Sequence, residues 1–222
     1  MNRSIYSLVL MDSVVEAVDQ LAAQMHTSRS NLINQILAEH VSMMTPEKRT
    51  KDIFSCMEAM MEPRTAFQIQ SRPGDAMLSV RSSLQYKYKP TIRYSVKLYR
   101  DAAPMAGALR VSLRTQSEAL LDALQTFFQG WMQLEDRQVA DRFPAGQVFA
   151  VMEDGKYNRE FIWPEPTEQP DPQTVAQAIA EYIQVFDDCM KTYFACLQEP
   201  RQAWRDIQRR YAQYCAQAPA VL

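Results

Sequence analysis

Residues 4–41 read SIYSLVLMDSVVEAVDQLAAQMHTSRSNLINQILAEHV, and the order of the patterns in this stretch decides the fold that we predict for the N-terminus. Residues 5–10 are apolar or small and β-prone, which predicts a short strand. Ser13 and Glu16 have the spacing of a capping box, which predicts the start of a first helix. Ser28 is a second cap ahead of apolar residues at helical spacing. The sequence therefore predicts one strand followed by two helices.

A strand-helix-helix unit of this size is too small to bury a core of its own. Its single strand also has two unpaired edges, and such edges invite another strand. A symmetric homodimer, in which two copies pair as an antiparallel ribbon over four helices, would satisfy both needs. We therefore expect residues 1–48 to be a dimerisation module.

An apolar alternation, an apolar helical repeat and a Ser-Arg-Ser run together make a specific pattern. The residues that carry it are Tyr6, Leu8, Leu10, Val14, Val18, Leu21, Ala22 and the run Ser28-Arg29-Ser30 ahead of Leu32-Ile33. The pattern resembles the ribbon-helix-helix (Arc/methionine-repressor-like) family of DNA-binding proteins, over about the first fifth of the chain. The resemblance implies that the paired strands lie in the major groove and that the second helix holds a phosphate at its N-terminus.

Carried over residue by residue, the resemblance implies a set of DNA-contacting side chains. The groove face would be Arg3, Ile5, Ser7 and Val9, and the phosphate clamp would be Ser28, Arg29 and Ser30. Ile5 and Val9 depart from the family pattern because apolar side chains can contact thymine methyl groups but cannot donate a hydrogen bond to guanine. His26 also stands where the family usually has the Gly that ends the first helix.

The charge distribution points to the middle of the chain as a surface for an anionic partner. The 222 residues carry a formal net charge of -2 and are 47% hydrophobic, which is typical of a folded protein with one or two domains. Residues 1–62 have 5 basic and 8 acidic side chains, residues 63–114 have 10 and 2, and residues 115–222 have 9 and 16. The excess of positive charge in residues 63–114 could attract an anion.

Residues 77–114 alternate apolar and polar side chains, which predicts three antiparallel strands with one buried face. Tyr86 and Tyr88 are predicted on the buried side. The outer face would carry Arg81, Lys87, Lys89, Arg93, Lys97, Arg110 and Arg114. Two interpretations stay open: a solvated face neutralised by the acidic C-terminal third, or a second anion-binding surface for nucleic acid.

The remaining patterns complete an α+β architecture of an N-terminal ribbon-helix-helix, an antiparallel sheet backed by helices and a C-terminal helical hairpin. Asp154-Gly155 predicts a hairpin turn between two strands. Thr45 with Pro46, and the capping box that starts at Thr115, predict helix starts. The predicted division is 1–48 for the DNA-binding module, 49–64 for a connecting helix, 65–163 for the sheet with its helix, 164–173 for a Pro-rich linker and 174–222 for the helical hairpin.

The residue types argue against an enzyme. Five glycines leave little room for a phosphate-binding loop, and neither of the two histidines lies in a nucleophile motif. Asp187 and Asp188 are interpreted as a solvated helix face. The four cysteines form no Cys-x-x-Cys pair, so no metal or cofactor is expected. Without a signal peptide or a long apolar run, the chain is expected to be cytoplasmic and to have no membrane partner.

We therefore predict a sequence-specific DNA-binding protein that acts as a homodimer on double-stranded DNA, in the manner of a transcriptional regulator. A structural or interaction protein that uses residues 1–48 only to dimerise is an alternative from another class. An antitoxin or plasmid-maintenance factor is a third possibility. The apolar stripe of the C-terminal helices would permit a higher oligomer or a protein partner.

Overall fold

A computed structural model describes residues 5–63, 66–70, 77–99, 105–143, 146, 148–162 and 170–217. The six α-helices of these residues are α1 (Asp12–Gln24), α2 (Arg29–His40), α3 (Pro46–Met61), α4 (Glu118–Val139), α5 (Pro172–Ala195) and α6 (Pro200–Gln217). Their six strands are β1 (Phe67–Gln70), β2 (Met77–Ser83), β3 (Thr91–Leu98), β4 (Met105–Leu113), β5 (Ala150–Glu153) and β6 (Lys156–Ile162). Most of the Pro-rich segment predicted at 164–173 lies outside the described residues.

The predicted fold class is wrong at the N-terminus, where the chain begins with helices and not with a strand-helix-helix ribbon. Residues 5–11 have no regular secondary structure, and the first element is α1. A strand needs a neighbouring edge for its backbone N–H and C=O groups, and no described strand pairs with this segment. β-propensity without such an edge did not produce a strand.

The helix caps of the N-terminal unit agree with the sequence only in part. Ser28 caps α2, since its Oγ accepts a hydrogen bond from the Asn31 N–H at 3.3 Å, and Thr45 caps α3 in the same way. The predicted cap at Ser13 is wrong because α1 begins two residues earlier than such a cap implies, with Met11 at the cap position and no side-chain acceptor there. At the other end of α1, His26 has a φ of 50°, the left-handed conformation for which the family pattern has Gly.

The six strands form one antiparallel sheet in the order β1-β2-β3-β4-β6-β5. The strands predicted in residues 77–114 are present as β2, β3 and β4, and Asp154-Gly155 makes the predicted turn with both residues at positive φ. The first of these strands ends earlier than its alternation suggests, at Ser83. The chain then turns, with the Leu84 N–H donating to the Pro90 carbonyl at 2.9 Å. The predicted inward position of Tyr88 is therefore wrong, because this side chain is fully exposed on the turn.

Helices cover one face of the sheet and leave the other face open. The ring of Phe186 on α5 lies edge-on to Tyr94 of β3, and the ring of Phe128 on α4 stacks on Tyr157 of β6. Helix α3 packs on α5, and α6 packs on both α5 and α4. The outward side chains of β3 are mostly exposed, whereas its inward side chains are buried. The hydrophobic core therefore lies between the sheet and these four helices.

Gly130 on α4 allows the close approach of α6. A Cβ atom at this position would lie 2.2 Å from the ring of Trp204. An Ala in a helix is ordinarily more stable than a Gly by about 1 kcal/mol. Here the missing side chain makes room for an indole ring, so packing and helix propensity oppose each other.

We expect Gly130→Ala to lower the free energy of unfolding by about 1–3 kcal/mol, the usual cost of overpacking a core. Urea denaturation of the two proteins measures the difference. Gln129→Ala, an exposed neighbour on the same helix, is the control and should stay within about 0.5 kcal/mol of the wild type. A gain of about 1 kcal/mol from Gly130→Ala would mean that helix propensity decides at this position and that the contact with Trp204 does not.

Candidate functional site: an uncovered apolar surface and a basic sheet face

Residues 5–44 expose more large apolar side chains than a folded unit of this size ordinarily does. Within this segment only Ala22 and Leu32 are buried. Helices α1 and α2 pack mainly against each other. The exposed set, here named the N-terminal apolar surface, is Ile5, Tyr6, Leu8, Val9, Leu10, Met11, Val14, Leu21, Met25, Ile36, Leu37, Val41, Met43 and Met44. So many exposed large apolar side chains in one short segment favour an interface.

The residues predicted to face the DNA groove lie on the segment that precedes α1. Ile5, Ser7 and Val9 are all exposed, and the two apolar side chains are exposed over their whole surface. Arg3 lies outside the described residues. No described element covers these side chains, so a partner could reach them.

The predicted phosphate clamp at the start of α2 is engaged with the chain itself. Ser28 uses its Oγ as the helix cap. Arg29 donates two hydrogen bonds to the carboxylate of Asp19 on α1, and Ser30 is exposed. These hydrogen bonds lower the pKa of Asp19 and raise the pKa of Arg29. Asp19 therefore competes with a phosphate for the Nε and Nη2 donors of Arg29.

The predicted basic face is divided between the sheet and its ends. Arg81, Arg93, Lys97 and Arg110 lie on the open face, with Arg81 half-buried and the other three exposed. Arg114 follows β4, whereas Lys87 and Lys89 lie on the turn after β2 and not on a strand. All three are exposed. The prediction that Lys87 and Lys89 lie on the strand face is therefore wrong, and four of the seven side chains share the open face.

Sequence reasoning missed a buried polar cluster between the sheet and the helices. Glu135 of α4 accepts hydrogen bonds from the Arg159 Nε at 3.0 Å and from the hydroxyls of Tyr157 at 2.7 Å and Tyr211 at 3.3 Å. Arg159 stacks over the ring of Tyr182, with 4.4 Å from its Cζ to the ring centroid. The signal was in the sequence, because Arg159 alternates with the inward residues Tyr157 and Phe161.

The chemistry of this cluster is that of a fixed ion pair. Burial by itself would lower the pKa of Arg159, but the carboxylate of Glu135 raises it above its usual range. Burial, and then the charge of Glu135, raise the pKa values of Tyr157 and Tyr182 well above normal. The arginine therefore stays charged and the tyrosines stay neutral near pH 7. Neither this arginine nor these tyrosines would exchange a proton readily near pH 7.

Asp187 was predicted on a solvated helix face, and this prediction is wrong. Its carboxylate is buried and accepts hydrogen bonds from the Tyr94 hydroxyl at 2.8 Å and the Ser82 Oγ at 3.1 Å, and it pairs with Lys191 at 2.6 Å. Burial raises the pKa of Asp187, although the hydrogen bonds from Lys191, Tyr94 and Ser82 lower it. The side chain ties α5 to the inner face of β2 and β3.

Three further features concern metal binding, thiol chemistry and membrane spans in the described residues. In the described ranges, no group of three or more His, Cys, Asp or Glu side chains could bind a metal ion. Burial raises the pKa of Cys189 to about 12, so this residue is a protonated thiol near neutral pH. None of the helices in the described part of the chain is long and apolar enough to cross a membrane.

Comparisons with protein-family models, curated proteins and solved structures found no match to this chain.

We expect Arg159→Met to lower the free energy of unfolding by about 3–5 kcal/mol, because it leaves the Glu135 carboxylate buried without its counter-charge. The double variant Arg159→Met/Glu135→Gln should regain most of that loss, since Gln still accepts hydrogen bonds from the tyrosines. Chemical denaturation of the wild type, both single variants and the double variant measures the coupling.

Arg142→Met is the control for this cycle, because Arg142 is an exposed arginine in the turn that follows α4. It should change the stability by less than about 0.5 kcal/mol. If Arg159→Met and the double variant lost the same free energy of unfolding, the two side chains would not be a coupled ion pair.

Proposed function

We propose that the protein binds double-stranded DNA as a homodimer and regulates transcription. The observation that carries the proposal is the N-terminal apolar surface, which stays uncovered in a chain whose sheet and helices already bury a complete core. The resemblance of residues 4–41 to ribbon-helix-helix DNA-binding proteins supports the same function. The proposal does not require residues 5–10 to form a ribbon.

A second copy of the chain is the partner that best fits the apolar surface. In a two-fold dimer each subunit contributes the same patch to the interface, so the apolar surface of one subunit covers the identical surface of the other. Burying a Leu or Ile side chain stabilises by roughly 1.5–3 kcal/mol. The exposed apolar side chains of α1, α2 and residues 41–44 therefore supply a driving force for dimerisation that the small contact between α1 and α2 does not provide, and Ile5 and Val9 are left for DNA.

The DNA contacts would lie at the same unit, on Ile5, Ser7 and Val9 and at the start of α2. Arg29 can contribute because its ion pair with Asp19 is exposed to solvent and therefore weak. A DNA phosphate carries a full negative charge and can compete for the guanidinium. Asp19 would then set how readily Arg29 turns to DNA.

We expect Leu37→Glu to shift the protein from dimer to monomer, because a carboxylate in the apolar interface would lose its hydration. Sedimentation equilibrium measures the change in association constant, and a loss of at least about tenfold corresponds to 1.4 kcal/mol. Val151→Glu is the matched control. Val151 is as exposed as Leu37, but it lies on the edge strand β5, away from residues 5–44. A dimer that tolerates Leu37→Glu as well as Val151→Glu would place the interface elsewhere.

We expect opposite effects on DNA affinity from the two partners of the exposed ion pair. Arg29→Ala should weaken binding and reduce its salt dependence, because the variant has no guanidinium to bind the phosphate. Asp19→Asn should strengthen binding, because the competing carboxylate is gone. Fluorescence anisotropy with labelled genomic fragments, including the protein's own promoter, measures both across a salt series. Ser7→Ala tests the contribution of the segment before α1 in the same assay.

The alternative function is an interaction protein that dimerises without DNA. Two observations favour it: Arg29 is already paired, and Ile5 and Val9 are apolar side chains that suit a protein surface. This alternative expects an intact dimer that binds none of the fragments at low salt. That result would overturn the proposal of DNA binding and leave the homodimer in place.

A further inference from the structure

The open face of the sheet is a continuous polar surface that no described helix covers. The register places Gln68, Arg81, Arg93 and Ser112 side by side across β1, β2, β3 and β4. The neighbouring row on the same face, two residues along each strand, holds Gln70, Ser79, Ser95, Arg110 and Asn158. Amide and hydroxyl groups therefore surround the arginines on every side.

Arg81 and Arg93 are directly opposite each other on adjacent antiparallel strands. Like charges in this position destabilise a strand pair. Arg110 is on the next strand, opposite Ser95, two residues along β3 from Arg93. Three arginines thus lie on the same face of three adjacent strands, where a sheet selected only for stability would carry opposite charges.

Carboxylates of the described chain do not neutralise these arginines. Arg110 donates from Nε to the Asn158 Oδ1 at 2.7 Å, and Lys97 lies over the ring of Tyr99 at 5.7 Å. Neither Arg81 nor Arg93 makes an ion pair or side-chain hydrogen bond within the described residues. The alternative of a face neutralised by the acidic C-terminal third therefore finds no direct contact there.

The acidic side chains of this face are at its far edge. By the strand register, Glu153 of β5 and Glu160 of β6 point to the same side as the arginines. Glu160 accepts a hydrogen bond from the Tyr99 hydroxyl at 3.2 Å. The half formed by β1 to β4 is consequently positive, and the β5–β6 edge is not.

We propose that Arg81, Arg93 and Arg110 on the open sheet face bind the phosphate backbone of the DNA. The inference rests on the proposed function and adds a second contact surface to it. Arginine, serine, asparagine and glutamine are the side chains that contact phosphates and sugars in protein–DNA complexes. Such contacts fix the position of the protein on the duplex and carry no base specificity. Tyr94 and Tyr157 lie inward of this face, and the half-buried ring of Tyr99 is held by Glu160 and contacted by Lys97. A duplex backbone therefore fits the face better than single-stranded RNA, whose bases need free rings for stacking.

The test uses the full-length triple variant Arg81→Gln/Arg93→Gln/Arg110→Gln. Its control is Arg137→Gln/Arg201→Gln/Arg205→Gln, which removes the same charge from exposed arginines on α4 and α6. The probe is the labelled genomic duplex that the wild type retains most tightly, with a labelled single-stranded RNA beside it. The slope of log affinity against log salt should fall by about 0.9 for each phosphate that the variant no longer neutralises, and only in the sheet variant. Urea midpoints check folding, and the sheet variant should match or exceed the wild type because the Arg81–Arg93 repulsion is removed.

The two proposals fail in different ways. Unchanged salt slopes in both triple variants, with DNA still bound, would overturn the sheet surface and leave DNA binding by the N-terminal unit. Equal losses of affinity in the two triple variants would reduce the effect to net charge and overturn the sheet surface as well. Loss of RNA binding alone in the sheet variant would assign the face to RNA. If the wild type binds no duplex at low salt, both the proposed function and this inference fall.

Discussion

An apolar surface that no described element of the chain covers is the feature on which the proposed assembly of this protein depends. Helices α1 and α2 fully bury only Ala22 and Leu32, and most of the large apolar side chains of residues 5–44 are exposed. Two short helices with one small contact gain little from packing. The proposed homodimer would supply the packing that these helices lack, and folding of the unit would then be coupled to association. Any function of the N-terminus, DNA binding included, depends on what covers it.

The sheet and the other four helices differ from the N-terminal unit, because they bury their apolar side chains against one another. Four helices cover one face of the sheet, and two buried carboxylates fix them to it: Glu135 through Arg159 and two tyrosines, and Asp187 through Tyr94, Ser82 and Lys191. Buried ion pairs contribute geometric specificity more than stability. With the inner face fixed in this way, the open face presents its arginines at set positions.

Local signals predicted much of this fold. Ser28 and Thr45 cap the helices they were expected to cap, and Asp154-Gly155 makes the expected turn. Where the outcome depended on distant residues, the patterns failed. A strand at residues 5–10 requires a partner edge that their sequence does not contain, and the place of Asp187 is decided by hydroxyls more than 90 positions away. Of the candidate site, charge periodicity predicted the basic sheet residues, but it could not predict that Arg29 pairs with Asp19 on the other helix.

Amide hydrogen exchange at several protein concentrations tests the central claim most directly. If residues 5–44 are covered by a second copy, exchange in α1 and α2 should slow as concentration rises, while exchange in β3 and α5 stays constant. Peptides from each region can be followed in the same sample, so the sheet and its helices serve as an internal control. Exchange in α1 and α2 that is independent of concentration, in a protein that sediments as a monomer throughout, would contradict the account.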